Sequence, residues 1–225
     1  MRHNHFNQYG INASEAWGRP RDDKLFPGWD GFVNYSLGLY YRYLNLGFRL
    51  PPSAGTASGV LPNPVGYNRM YVKVPGAFSL DAWYSTLRNG EVMVTNGPML
   101  FFTTQRDGKT MEASVEVIAR EPIDRVELVA NGSVIHTFPV QANASRYNGK
   151  VSFDPTRYSW VAARSFLKRG PTVRLAQTAA YFVEWIDELI AETTKDVTRF
   201  ASGAERDEVL NHYRKARAYF AAKQK

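Results

Sequence analysis

The dipeptide Asn131-Gly132 follows a segment in which the apolar residues Val126, Leu128 and Ala130 recur at every second position, and it precedes a second strand candidate, 134–138. A two-residue type I′ turn needs positive φ at both positions, and Asn followed by Gly tolerates this best. Because the turn also matches the twist of paired strands, the pattern predicts a β-hairpin. This hairpin constrains the fold most, because it places antiparallel sheet in the middle of the chain.

Neighbouring segments extend this sheet. Residues 111–117 alternate with the period of a half-exposed strand, 151–153 is a short strand, and 159–166 forms a strand with Trp160 as a core anchor. The polar stretch 103–110 suggests a domain boundary. We therefore predict an antiparallel β-sandwich module over 106–176.

The preceding segment, 1–105, has a different texture. Apolar residues at helical spacing predict a helix over 32–46 that ends at Gly47, and Ser79 is expected to cap a second helix ended by Asn89-Gly90. The apolar stripe of the second helix comprises Leu80, Trp83, Tyr84 and Leu87. Strands are predicted at 48–50, 67–74 and 92–94, an α/β order.

Residues 177–225 are predicted to form a helical hairpin. An acidic helix with an apolar stripe comes first, and Ser202-Gly203-Ala204-Glu205 is a capping-box sequence that begins a basic helix. The fold class predicted for the whole chain is α+β.

Composition excludes several classes. The 225 residues include no cysteine, which rules out disulfide frameworks, zinc ribbons and thiol nucleophiles. No segment approaches the roughly 20 apolar residues of a membrane span, and residues 1–6 do not resemble a secretory signal, so we expect a cytoplasmic protein by default and no membrane partner. The net charge of +7 is partly concentrated near the C-terminus, where a solvated helix face is favoured over a nucleic-acid site because no aromatic-lined groove motif accompanies it.

Residue types alone suggest one metal-binding pair. His3 and His5 are two apart, so on an extended segment both imidazoles point the same way and could bind a divalent cation. An exposed, frayed terminus explains the same pair. No phosphate-binding glycine loop and no Gly-x-Ser-x-Gly elbow occurs.

Several longer strings resemble the CehA/McbA-like group of metal-dependent hydrolases, which is related to the PHP (polymerase and histidinol phosphatase) fold. The strings are Asn45-Leu46-Gly47-Phe48-Arg49-Leu50-Pro51-Pro52-Ser53-Ala54-Gly55, Asn63-Pro64-Val65-Gly66-Tyr67-Asn68-Arg69, Val94-Thr95-Asn96-Gly97-Pro98, Val126-Glu127-Leu128-Val129-Ala130-Asn131-Gly132, Trp160-Val161-Ala162-Ala163-Arg164 and Ala204-Glu205-Arg206-Asp207-Glu208-Val209-Leu210. The similarity extends over most of the chain from about Asn4.

The resemblance implies a C-terminal remnant of a PHP-like distorted α/β barrel in 1–105, followed by the sandwich and the helical hairpin. It also implies a divalent metal, zinc or manganese, and a small-molecule substrate that is a phosphate ester or a carboxylic or carbamate ester. Family members carry their His-x-His and acidic ligands in a longer N-terminal part. We therefore expect this chain to be inactive alone and to need that missing half or to form a homo-oligomer.

The resemblance also suggests site residues. His5 matches a family string and is the stronger metal-ligand candidate, with His3 beside it. Five residues are expected to line the active-site rim: Ser53, Thr56, Ser58, Asn68 and Arg69. Relatives commonly have His where this chain has Gln177.

The alternative is a non-catalytic β-sandwich module that binds a ligand or carbohydrate, with Trp17, Trp29 or Trp160 as the platform. The alternation predicts that Trp160 lies in the core instead.

Overall fold

The computed structural model describes residues 30–56, 58, 64–107, 109–168, 173–183, 186–196 and 198–223. Its helices are α1 (Gly31–Asn45), α2 (Leu80–Arg88), α3 (Ile186–Lys195) and α4 (Gly203–Lys223). Its strands are β1 (Arg69–Val72), β2 (Val92–Thr95), β3 (Met99–Asp107), β4 (Thr110–Ile118), β5 (Ile123–Ala130), β6 (Ser133–Phe138), β7 (Arg146–Phe153), β8 (Trp160–Leu167), β9 (Leu175–Thr178) and β10 (Tyr181–Phe182). A short 3₁₀ turn, Pro155–Arg157, precedes β8.

The chain divides into two compact units, Met1–Phe182 and Val183–Lys225. In the first unit, a seven-stranded sheet has the order β1-β2-β9-β8-β5-β6, with β10 paired to β8. Every strand pair in it is antiparallel. Strand β2 pairs with β9, with Met93 opposite Thr178.

A second, three-stranded antiparallel sheet has the order β3-β4-β7. Its apolar face packs on the larger sheet, and buried side chains from both sheets form one core. This core includes Leu100, Ala113, Val115 and Val117 from the small sheet, and Val126, Leu128, Val161, Ala163 and Ala176 from the large one. The first unit is therefore a mixed α+β structure built on a sandwich of antiparallel sheets.

Helix α1 covers the opposite face of the large sheet. Its buried side chains Val33, Leu37, Tyr40, Tyr41 and Leu44 share a second core with sheet residues. The sheet contributes Val94, Val129, Trp160, Ala162, Phe166 and Leu175. Helix, large sheet and small sheet thus form three layers.

The predicted α1 is confirmed within one residue at each end, and so is its glycine stop. Gly47 has a φ of 84°, its N–H donates to the carbonyl of Leu44, and the N–H of Phe48 donates to the carbonyl of Tyr43. These two bonds form a Schellman motif, which satisfies carbonyls that the helix end would leave free.

The predicted hairpin is also confirmed. Asn131 and Gly132 have φ values of 50° and 89°, and they connect the paired strands β5 and β6. Helix α2 follows the predicted bounds, and the Ser79 side chain accepts a hydrogen bond from the N–H of Ala82.

Two expectations for the first unit were wrong. The polar stretch 103–110 is no linker: it lies in the β3–β4 hairpin, so the boundary drawn between residues 105 and 106 falls inside β3. Residues 48–50 are not a strand. A large sheet that takes strands from both sides of residue 105 leaves the first 182 residues as one unit.

In the second unit, α3 and α4 pack against each other. The predicted cap at Ser202 is confirmed, because the N–H of Glu205 donates to Ser202 Oγ. The second bond of a capping box is displaced by one residue: the Glu205 carboxylate accepts from the N–H of Ala201. Within the part of the chain that the structure describes, no helix combines the length and the hydrophobicity needed to cross a membrane.

Candidate functional site

Two of the expected site residues, His3 and His5, lie outside the described residues, as do Trp17 and Trp29. Elsewhere, His136 contacts Phe138 with ring centroids 4.7 Å apart, and His212 Nε2 lies 3.9 Å from Glu208 Oε1 in the second unit. Among the described residues, no group of three or more His, Cys, Asp or Glu side chains could hold a metal ion.

Two of the expected rim residues, Thr56 and Asn68, form a clasp between two loop segments. Thr56 Oγ1 donates to the carbonyl of Asn68 and accepts from the N–H of Asn68, each over 3.0 Å. Asn68 Nδ2 also donates to the carbonyl of Gly55. Both residues are buried, and their hydrogen bonds fix the segment around Thr56 against the segment around Asn68.

The other rim residues do not join this clasp through a described side-chain contact. Arg69 Nη1 donates to the carbonyl of Gly66, and its guanidinium lies 5.9 Å from the centroid of the Tyr71 ring. Ser53 is half-buried, and Ser58 is exposed. The structure thus brings Thr56 and Asn68 together, and their contacts stabilise the loop.

The densest set of polar side chains lies between α1 and the large sheet. We call it the buried polar cluster; its members are Asp30, Tyr41, Arg125, Glu127, Arg164 and Gln177. Tyr41 Oη donates to Gln177 Oε1 over 2.7 Å, and Gln177 Nε2 donates to the carbonyl of Thr178 over 2.9 Å. Gln177 is fully buried, so both halves of its amide need these partners.

Ion pairs continue the cluster. Glu127 accepts from Arg164 Nε at 2.6 Å through one carboxylate oxygen, and Arg125 Nε lies 3.3 Å from the other. Arg125 Nη2 also lies 2.5 Å from Asp30 Oδ2, and its guanidinium stacks 3.8 Å from the centroid of the Phe166 ring. Asp124 Oδ2 also lies 3.0 Å from Arg125 Nη1, so two arginines face three carboxylates. Each buried charge therefore has an opposite partner, as burial requires.

Burial sets the protonation of the tyrosines beside this cluster. Desolvation raises the pKa of Tyr41 to about 12, although the nearby Arg164 guanidinium opposes the shift. Desolvation, together with the neighbouring Tyr41, raises the pKa of Tyr40 still further. For Arg164, burial lowers the pKa, but Tyr41 and Glu127 raise it more, so the guanidinium stays charged. At neutral pH the Tyr41 phenol is therefore neutral and can donate its hydrogen bond to Gln177, which connects α1 to the large sheet.

Sequence reasoning named Gln177 and included Glu127 and Arg164 in the resemblance strings, but it did not predict that they meet in one cluster. The missed signal was the presence of charged residues inside strands that are otherwise apolar: Arg125 and Glu127 share one face of β5, and Arg164 interrupts the apolar run of β8. A charge in such a strand needs a partner on a neighbouring element.

The string 94–98 forms the corner at which the chain leaves the large sheet for the small one. Asn96 Nδ2 donates to the carbonyl of Val173, and Asn96 Oδ1 accepts from the N–H of Leu175. Thr95 Oγ1 donates to the carbonyl of Pro98 over 2.6 Å. The side chains of Asn96 and Thr95 thus bond to backbone groups at the point where the backbone pairing of β2 ends.

The strings around Asn131 and Trp160 meet at a second junction. Asn131 Oδ1 accepts from the backbone N–H groups of Ser159 and Trp160, over 2.9 Å and 3.4 Å. Trp160 is fully buried and donates its indole N–H to Asn45 Oδ1, so it is a core residue and cannot serve as a binding platform.

No family model, no curated protein and no solved structure matches this chain.

Proposed function

We propose that the chain is the C-terminal, structural part of a CehA/McbA-like metal-dependent hydrolase, and that the ester-cleaving centre is formed by other residues. The supporting observation is the position of the strings that carry the resemblance. Three of them build the corner at 94–98 and the junction of Asn131 with Trp160, where they hold layers together and present no reactive group among the described side chains.

The described side chains do not fit a divalent cation. The carboxylates of Asp30 and Glu127, which lie closest to the helix–sheet interface, are engaged by arginines. A hydrolytic zinc or manganese ion needs several convergent ligands that are free of such partners. We therefore propose no catalytic step for these residues, and we assign the metal and the phosphate, carboxylic or carbamate ester substrate to the complete hydrolase.

The same proposal includes the end of a PHP-like barrel in 1–105. The described elements of this segment are α1, β1, α2, β2 and the start of β3. In a complete enzyme, the clasp of Thr56 and Asn68 would set the shape of a loop beside the substrate.

Metal analysis and an ester assay test the proposal. The purified chain is incubated with Zn²⁺ or Mn²⁺, desalted, and assayed with p-nitrophenyl phosphate, a naphthyl acetate and a naphthyl carbamate. We expect no stoichiometric metal and no turnover above a metal-only blank. Stoichiometric metal with turnover that His5→Ala removes and His136→Ala preserves would refute the inactivity of the chain.

The gene provides an independent test of the family assignment. We expect the reading frame upstream of the Met1 codon to encode a His-x-His motif within a longer hydrolase. A stop codon shortly before the Met1 codon would contradict the proposal that this chain and the metal ligands belong to one polypeptide.

A second candidate function is a β-sandwich module that binds a ligand or carbohydrate, and the supporting observation is exposed aromatic side chains on α2 and just before it. Phe78 is 70% exposed and Tyr84 is 51% exposed. The Tyr84 ring meets the Trp83 ring edge-on, with centroids 5.0 Å apart. Such rings stack on flat apolar ligand faces. Binding would change the tryptophan fluorescence of the native chain but not of Trp83→Phe; the absence of any response to a glycan panel would count against this function.

A further inference from the structure

Asparagine followed by glycine occurs four times in the chain, at Asn89, Asn96, Asn131 and Asn148. Glycine has no side chain, so its backbone nitrogen can approach the preceding side-chain amide closely. This sequence is the one most open to spontaneous deamidation. Because the dipeptide is the same at all four positions, differences in rate must come from the fold.

The reaction needs only water. The glycine nitrogen attacks Cγ of the asparagine and forms a new N–Cγ bond, while the Cγ–Nδ2 bond breaks. Nδ2 leaves as ammonia with the proton from the glycine nitrogen, and the product is a succinimide. Water then opens the ring at either carbonyl and gives aspartate or isoaspartate, with no change of oxidation state.

Two of the four side chains are held by hydrogen bonds that this attack would break. The buried Asn96 amide donates to the carbonyl of Val173 over 2.9 Å and accepts from the N–H of Leu175 over 2.8 Å. Asn131 Oδ1 accepts from two backbone N–H groups. Turning either Cγ toward the next nitrogen leaves backbone groups without partners, which is costly.

Asn89 is in the opposite situation. It is exposed, it is the C-cap of α2, and among the described residues nothing hydrogen-bonds to its side-chain amide. Gly90 follows with a φ of 81°, and its N–H donates only to the carbonyl of Leu87 in the last helical turn. Opening the last turn of a helix costs little free energy, and it frees the Gly90 nitrogen to attack the Asn89 side chain.

Asn148 is intermediate. Its side chain is exposed, but it lies within β7, opposite Glu116, and Gly149 lies opposite Val115 in a ladder of eight residue pairs. A residue inside a strand ladder opens less often than one at a helix end.

We propose that Asn89-Gly90 is the deamidation site of the native chain, and that the fold protects Asn96 and Asn131. The product places a negative charge at the C-terminus of α2, where the helix dipole disfavours it. Isoaspartate also adds a methylene to the backbone, which displaces the Gly90 N–H from the carbonyl of Leu87. Deamidation would thus loosen the connection between α2 and β2.

Peptide mapping tests the proposal. The native chain is aged at mildly alkaline pH and digested with a lysine-specific and a glutamate-specific protease, which release Asn89 in peptide 74–91 and Asn96 in peptide 92–109. Tandem mass spectrometry distinguishes Asn131 from Asn148 within peptide 128–150. The mass gain of amide-to-acid conversion and labelling by an isoaspartyl methyltransferase report each site. We expect Asn89 to react at least about tenfold faster than Asn96 and Asn131, since each of these must first lose its hydrogen bonds.

The same chain unfolded in denaturant is the matched control, and its four sites should react at similar rates. Asn89→Gln should abolish the modification of this peptide without changing the others. Native Asn96, Asn131 or Asn148 reacting as fast as Asn89 would overturn the proposal. So would an Asn89 that reacts only in the unfolded chain.

Discussion

The indole of Trp160 donates a hydrogen bond of 2.8 Å to the side-chain oxygen of Asn45, the last residue of α1. The amide nitrogen of Asn45 donates in turn to the carbonyl of Asn131. One asparagine therefore connects the helix to the first residue of β8 and to the β5–β6 turn, and it satisfies the polar atom of the largest fully buried side chain.

Asn45→Ala should destabilise the chain by about 1–3 kcal/mol, because it leaves the buried indole N–H without an acceptor. The midpoint of urea unfolding, followed by tryptophan fluorescence, measures the effect. Asn34→Ala is the control, since Asn34 lies exposed on the same helix. Equal unfolding midpoints for the two variants would show that the bond to Trp160 contributes nothing.

Raising the pH should destabilise the chain through Tyr41. Its pKa rises from 10.0 to about 12 on folding, so the unfolded state releases its proton first. The stability that protonated Tyr41 contributes to the folded state is fully present below about pH 10, and it is lost as the pH rises through about 12. Unfolding midpoints measured across this window should fall less steeply for Tyr41→Phe than for the unchanged chain. The variant still shows some loss, because it retains Tyr40, whose pKa is also raised. An unchanged slope would contradict the buried phenol.

Tyr41→Phe should also cost about 1–3 kcal/mol at neutral pH, because the fully buried Gln177 Oε1 then loses its donor. Tyr84→Phe, at an exposed position of α2, is the comparison. Thermal unfolding should show a clear loss only for the first variant.

Ser165→Ala should stabilise the chain by about 1 kcal/mol, because Ser165 Oγ is fully buried and finds no hydrogen-bond partner among the described residues. The contrast is Thr178→Val, because Thr178 Oγ1 accepts from the N–H of Ala163 and its loss should destabilise. Chemical denaturation of both variants should show a higher free energy of unfolding for Ser165→Ala and a lower one for Thr178→Val. A destabilised Ser165→Ala would mean that the hydroxyl has a partner.

Gly97→Ala should cost about 1–3 kcal/mol, because the new Cβ would lie 3.0 Å from Arg174 Cβ and 3.1 Å from Leu167 Cδ1. Gly38→Ala is the matched control: it lies in α1 with nothing within 4 Å of its Cβ position. There the change should stabilise the helix by about 0.5–1 kcal/mol. Differential scanning calorimetry of the two variants should give shifts of opposite sign.

Local chemistry predicted the local structure. The Asn131-Gly132 turn, the cap at Ser79 and the stop at Gly47 each depend on a few adjacent residues, and each was predicted. Strand β3 was missed because polar residues dominate its exposed face, so its second half resembles a linker. The stripe of α2 was misread for the converse reason: Leu80 and Tyr84 remain exposed although helical spacing marks them as core.

Long-range contacts explain the rest. The resemblance suggested Thr56 and Asn68 as rim residues, but their mutual bonds appear only when two loops meet. The partners of Gln177 and Glu127 come from α1 and β8, which no local pattern identifies. Polar residues that later prove to bind one another cannot be distinguished in advance from residues that await a ligand.

The pairing of β2 with β9 has a consequence for how the polypeptide acquires its structure. These neighbours in the large sheet are separated in sequence by the six strands β3 to β8, so their contact raises the contact order and slows folding. During synthesis, β2 leaves the ribosome long before residue 175 is added, and one of its edges stays open in that interval. Among the described strands, only β9 covers that edge in the finished sheet, so the newly made chain is open to edge-to-edge pairing until residues 175–178 have been added.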